Sequence, residues 1–193
     1  MDKITKLYVL IGPVIISFIF AMTSPTVQIY FIKMVSPELL AISNMLAVGI
    51  AAVVNSTIPN DKLKTIYSNN FKLIVIIDVV FFTIISYGGL LDVSIRFIGF
   101  AILNAISTTL WFTVMSNAIN NKIAGGELTN WNAFSKSLEL YGSLAGCIVA
   151  ICFDFDVTTC LILQCIANCF MGCTDLIAFK RLKKIKNLII NKR

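Results

Sequence analysis

The sequence contains no histidine, only two tryptophans and four prolines, and only 13% charged residues among its 193. Without histidine, the commonest metal ligand and the usual neutral-pH general base are both missing. The shortage of charge is equally informative, because soluble domains average about a quarter charged residues. No polar stretch is long enough for a separate soluble domain, so the chain reads as one unit. A Gly-rich phosphate loop, a nucleophile elbow and a paired set of catalytic carboxylates are absent as well. The expectation is a protein that is not an enzyme and carries no cofactor or metal.

What is present is apolar: 58% of residues are hydrophobic and the mean hydropathy is +0.87. A helix needs about 20 largely apolar residues to cross the roughly 30 Å hydrocarbon core of a bilayer. Six runs fit, at 7–32, 39–58, 73–87, 93–118, 134–153 and 157–179, followed by a basic tail at 180–193. The expected fold is an all-α, polytopic six-helix transmembrane bundle. The first run is too long for a secretory leader and has no small-x-small cleavage pattern after it, so it reads as an uncleaved span. Pro13 and Pro25 interrupt it, which membrane helices tolerate when neighbours satisfy the freed carbonyls. Turns are expected at 33–38, at Gly88-Gly89 and around Asp154 and Asp156, with longer polar connections at 59–72 and 120–132.

The basic residues give direction. Lys3, Lys6, Lys62, Lys64, Lys72, Lys122, Lys136 and the seven Lys/Arg from Lys180 onward fall on one side of this arrangement, and only Lys33 and Arg96 fall on the other. The positive-inside rule makes the first side cytoplasmic, with both termini inside a cytoplasmic-type cell membrane. The same rule accounts for the net charge of +6, which nucleic-acid binding would otherwise suggest; the cations sit in short gaps and the tail, not on a folded basic face.

Local sequence adds a family resemblance. Glu127-Leu128-Thr129-Asn130, continuing through Ser137, Leu138, Tyr141-Gly142 and Ala145-Gly146, resembles the 4–5 loop and fifth helix of the drug and macrolide efflux branch of the major facilitator superfamily. Six spans with both ends inside is the layout of one half of such a transporter. Arg96 opens the fourth span where the family carries a membrane-buried arginine, although Gly99 follows at three residues and not four. Asp61-Lys62 resembles the family's Gly-x-x-x-Asp-Arg loop motif without its glycine. The fifth span has no proline of the antiporter motif. The resemblance implies a substrate cavity between two six-helix halves, and therefore a homodimer or a paralogous half as partner.

Ionisable residues inside spans are functional candidates by default. Asp78 in the third span is either a proton or cation carrier, or a carboxylate facing a watery vestibule or capping a neighbouring helix. Arg96 either takes part in coupling, as the resemblance implies, or snorkels to the outer interface with Asp92 as partner. Glu139 follows Lys136 by three residues and is expected to pair with it. Asp175, near Lys180 and Arg181, reads as structural. Asn104, Ser107, Thr108 and Asn117 on the fourth span, with Gln164 and Asn168 on the sixth, are polar-cavity candidates that serve equally well in interhelical hydrogen bonding.

Gly142 and Gly146 offer a surface for close approach of another helix, in this chain or a second one. All six cysteines lie between Cys147 and Cys173, without Cys-x-x-Cys spacing, and read as packing residues; Cys165, Cys169 and Cys173 are expected on one helix face. The tail is either an amphipathic helix on the leaflet surface or a solvated topology signal. The functional expectation is a half-size transporter exporting a hydrophobic or amphipathic small molecule as a dimer. The alternative is a non-transporting accessory or immunity protein that binds a partner membrane protein.

Overall fold

A computed structural model describes the backbone of residues 1–57, 61–106, 109–110, 112–123 and 125–190, and their side chains except at 57, 61–64, 104, 112, 125–126 and 184–190. The described residues form eight α-helices and no strand: α1 Lys3–Ile32, α2 Pro37–Thr57, α3 Asp61–Asn69, α4 Phe71–Leu91, α5 Val93–Ile106, α6 Phe112–Asn120, α7 Gly125–Cys152 and α8 Val157–Ile190. Five of them, α1, α2, α4, α7 and α8, are long and apolar enough to cross a membrane.

Within the stretch 93–118, expected as one span, the described residues include α5 and α6. Thr109 Oγ1 donates to the Ala105 carbonyl at 2.5 Å, a back-bond onto the residue four earlier.

Other boundaries also differ from the expected ones. Gly88 and Gly89 lie inside α4, and the chain turns at Asp92, whose backbone is extended. The longer polar connections hold α3 and the first turns of α7, where Glu127 complements the positive end of the helix dipole. The tail continues α8 as helix to Ile190. Pro13 and Pro25 stay within an unbroken α1.

By internal packing the chain divides into two units, Met1–Pro25 with Met115–Arg193, and Thr26–Val114. In the first, α1 packs on α7 and α8. A Cβ on Gly142 would stand 2.8 Å from the Val14 carbonyl oxygen, and one on Gly146 would collide with the Phe18 carbonyl. Only glycine lets the two backbones approach this closely. The paired positions advance together, so α1 and α7 run parallel. Along α8 they run oppositely: Tyr8 meets Arg181, Gly12 meets Thr174 and Thr23 meets Gln164.

Burial separates the roles of these helices. Half of the most apolar window of α8 is buried, against 6% for α7, so α8 is the core helix of the unit. Its buried stripe includes Leu161, Gln164, Asn168, Asp175, Ala178 and Leu182, spaced by three, four or seven residues. The exposed side of α7 carries Leu140, Leu144, Ile148 and Ile151, a surface suited to lipid rather than water.

In the second unit α5 packs on both α2 and α4. The buried residues of α4 are Phe71, Val75, Asp78, Phe82, Ile85, Ser86 and Gly89, one stripe at helical spacing. Gly89 meets Arg96, Ile85 meets Gly99 and Phe82 stacks edge-on with Phe100 at 6.0 Å, so α4 and α5 are antiparallel. Ser43 of α2 donates to the Phe97 carbonyl at 2.8 Å and ties α2 to the same helix.

Candidate functional site

Arg96 is the centre of the most unusual chemistry in the second unit. It lies in the first turns of α5 and is 6% exposed. Its Nη1 donates to Ser86 Oγ at 3.0 Å, and its guanidinium carbon stands 4.6 Å from the ring centroid of Phe100 and 5.4 Å from that of Phe31. A charge-assisted hydrogen bond contributes about 1.5–3 kcal/mol, and a desolvated cation–π contact about 2 kcal/mol. Both offset the cost of withdrawing the charge from water.

The alternative in which Arg96 snorkels outward to Asp92 is not formed. Asp92 is exposed, and its Oδ1 accepts the Ser94 N–H at 2.8 Å, capping α5. That cap leaves the arginine to fold back along α4. Gly89 makes room for it, because a Cβ there would run into the Arg96 stem.

Asp78 is also buried, 5% exposed, on the same stripe of α4 as Ser86 and Gly89. It stands two helical turns before Ser86, about 12 Å along the axis. Continuing the antiparallel register places it level with 104–106 of α5. The α4–α5 pair thus contains an acid and a base, both withdrawn from the surface, among Phe, Ile and Val.

The remaining candidates separate. Gln164 and Asn168 are buried on α8 as expected for inward-facing amides. Gln164 Nε2 donates to Thr23 Oγ1 at 3.0 Å, and Thr23 Oγ1 donates on to the Ile19 carbonyl at 2.7 Å. Gln164 Oε1 is buried without a hydrogen-bond partner among the described residues. Asn117 does not face inward: it is exposed in the last turn of α6, while Val114 and Met115 of the same helix are buried. The Asn104 side chain, Ser107 and Thr108, and the side chains of Asp61 and Lys62, lie outside the described residues.

Glu139 belongs to the first unit. Its Oε2 accepts from Lys136 Nζ at 2.8 Å, the intrahelical pair expected from the spacing, with Lys136 69% exposed. Surface pairs of this kind are worth about 0.3–0.5 kcal/mol. Asp175 is buried on α8. The three evenly spaced cysteines do not share an environment: Cys165 is buried, whereas Cys169 and Cys173 are exposed. A repeat of four overshoots the helical turn by about 40° per step, so the run drifts off the buried face.

Ser86, Phe31, Phe100 and Thr23 were not singled out from the sequence. Ser86 was accessible to it: Asp78, Phe82, Ser86 and Gly89 recur at three or four residues and share one helix face. Phe31 and Phe100 belong to other helices, and no local spacing relates them to Arg96.

The fold defines the class: the described residues are helical, with five helices of membrane-spanning length and composition, and they bury two acids, Asp78 and Asp175, and the base Arg96. No family model, no curated protein and no solved structure matches the chain.

Proposed function

We propose that the chain is a half-size transporter of the major facilitator type, exporting a hydrophobic or amphipathic small molecule from the cytoplasm. The observation that carries this reading is the withdrawal of both Asp78 and Arg96 into the α4–α5 helix pair. Buried charges are costly in a membrane protein and are retained where they move ions or substrates. In this reading Asp78 exchanges a proton or cation with the cytoplasmic side and Arg96 biases that exchange, with Glu139 a secondary candidate. Five helices cross the cytoplasmic membrane, and 93–118 supplies a sixth crossing. The termini are cytoplasmic, as the distribution of Lys and Arg favours. A second copy, or a paralogous half, provides the opposite wall of the cavity.

The test combines particle mass with flux. Light scattering in a mild detergent gives two chains per particle, and reconstituted vesicles show proton-dependent efflux that Asp78→Asn and Arg96→Gln abolish while Lys33→Gln leaves it intact. Full activity in Asp78→Asn removes that residue from the mechanism. A monomer that shows no flux and co-purifies with an unrelated membrane complex overturns transport in favour of an accessory or immunity role.

A further inference from the structure

Within the first unit, helix direction brings scattered basic residues to one end. Parallel α1 and α7 begin there, and antiparallel α8 reaches it through Tyr8 and Arg181. Lys3, Lys6, Lys136, Lys180, Arg181 and Lys183 are all exposed at this end. Two of these cations are posted on aromatic rings: Lys6 Nζ lies 5.7 Å from the Trp131 ring and the Arg181 guanidinium 5.8 Å from the Tyr8 ring. Lys6 and Tyr8 are two residues apart, about 200° around a helix, so the posts flank α1 on opposite sides.

The acids at this end are largely engaged. Asp2 Oδ1 accepts the Thr5 N–H at 2.6 Å, its Oδ2 accepts the Thr5 hydroxyl at 3.0 Å, and Glu139 is held by Lys136. Glu127 at the start of α7 is exposed.

The band has a definite depth. Val14 faces Gly142 and Phe18 faces Gly146, so Trp131 is level with residue 3 of α1, and Lys136 with Tyr8. Five residues of helix span about 8 Å. That matches a headgroup layer of about 5–8 Å, the difference between a bilayer of about 40–45 Å and its hydrocarbon core of about 30 Å, taken per side. Tryptophan and tyrosine favour the same layer. At the other end, Cys152 is level with residue 24 of α1, about 24 Å further along, and the residues just beyond it include the exposed acids Asp154 and Asp156.

We propose that this basic end of α1, α7 and α8 is a docking surface for anionic phospholipid headgroups. The Lys6–Trp131 and Arg181–Tyr8 posts hold cations at headgroup level, where each basic residue favours an anionic surface about fivefold. The inference rests on the chain lying in a membrane, not on transport. A lipid preference without flux leaves it standing, and flux without a lipid preference removes it alone.

The experiment uses full-length protein carrying Trp111→Phe, so that Trp131 is the single emitter, in vesicles with brominated phosphatidylglycerol or brominated phosphatidylcholine chains. Expected is stronger quenching by the anionic lipid, a preference reduced about fivefold by either Lys6→Gln or Arg181→Gln. Lys33→Gln keeps the preference. Raising salt from about 0.05 M to about 0.5 M erodes it in the Trp111→Phe protein, through screening alone, so the idea remains open to refutation even if a charge variant fails to fold. Equal quenching by the two lipids, a preference insensitive to salt, or one unchanged in folded Lys6→Gln and Arg181→Gln overturns the assignment.

Discussion

The Arg96 guanidinium reaches Ser86 across the α4–α5 contact, and it does so one turn from Gly89, whose absent side chain leaves space for the arginine stem. Acceptor and gap lie on one stripe of α4, and the donor reaches them from α5. Burial of the charge therefore depends on a residue that makes no bond to it.

Gly89→Ala tests that dependence. The added Cβ meets the Cβ of Arg96, which cannot swing aside without moving α5, and overpacking of this kind costs about 1–3 kcal/mol. Gly49 has nothing within 4 Å of its own added Cβ. Gly49→Ala is expected to be neutral or stabilising by up to about 1 kcal/mol, from helix propensity. Unfolding of the two variants in mild detergent measures the contrast.

At the α1–α7 contact the obstacle is backbone. Gly146→Ala pushes against the Phe18 carbonyl, and Gly142→Ala against that of Val14. Both are expected to destabilise by about 1–3 kcal/mol, with Gly146→Ala the worse. Loss of protection of α1 amides in hydrogen exchange is the readout.

Thr23 and Gln164 form a buried pair with an asymmetric prediction. Thr23→Val strands the Gln164 amide donor and is expected to cost about 1–3 kcal/mol. Gln164→Leu removes that donor together with an acceptor that has no hydrogen-bond partner among the described residues, and is expected to cost less. In the double variant part of the Thr23→Val loss is recovered, giving a coupling of about 0.5–3 kcal/mol in a double-mutant cycle.

Asp156 caps α8. Its Oδ2 accepts the Thr159 hydroxyl at 2.5 Å and its Oδ1 accepts the Thr159 N–H at 2.9 Å, and these bonds hold its carboxyl below the usual range. Folding thus favours the ionised form. The cap contributes fully above the unfolded pKa of about 3.9 and is lost as pH falls through the lower folded value. Faster intrinsic-rate-corrected exchange of the Thr159 amide at low pH, with no such change in Asp156→Asn, is the expected result.

Apolar runs were legible because a membrane helix must satisfy its backbone internally and cover itself with apolar side chains. All five long helices coincide with runs read from the sequence. The Lys136–Glu139 pair was legible because it depends only on spacing along one helix. Gly88-Gly89 misled for the opposite reason. A glycine pair resembles a turn when read locally, but at Gly89 the small residue answers a side chain on the next helix. Asn117 misled because a polar residue in an apolar run has two ways to be satisfied, inward against protein or outward at a helix end, and composition does not distinguish them.

What the sequence determined by itself was everything set by short-range periodicity and composition: helical class, the positions of the long apolar helices, the intrahelical ion pair and the asymmetry of basic charge. Tertiary structure alone decided which helix faces which. It gave the Gly142 and Gly146 surface to α1, placed Phe31 and Phe100 around Arg96, joined Thr23 to Gln164, and gathered the cations of three helices at one end. The physical reason is that hydrophobicity is non-directional and says that a face is covered, whereas steric fit between particular side chains and backbones decides what covers it.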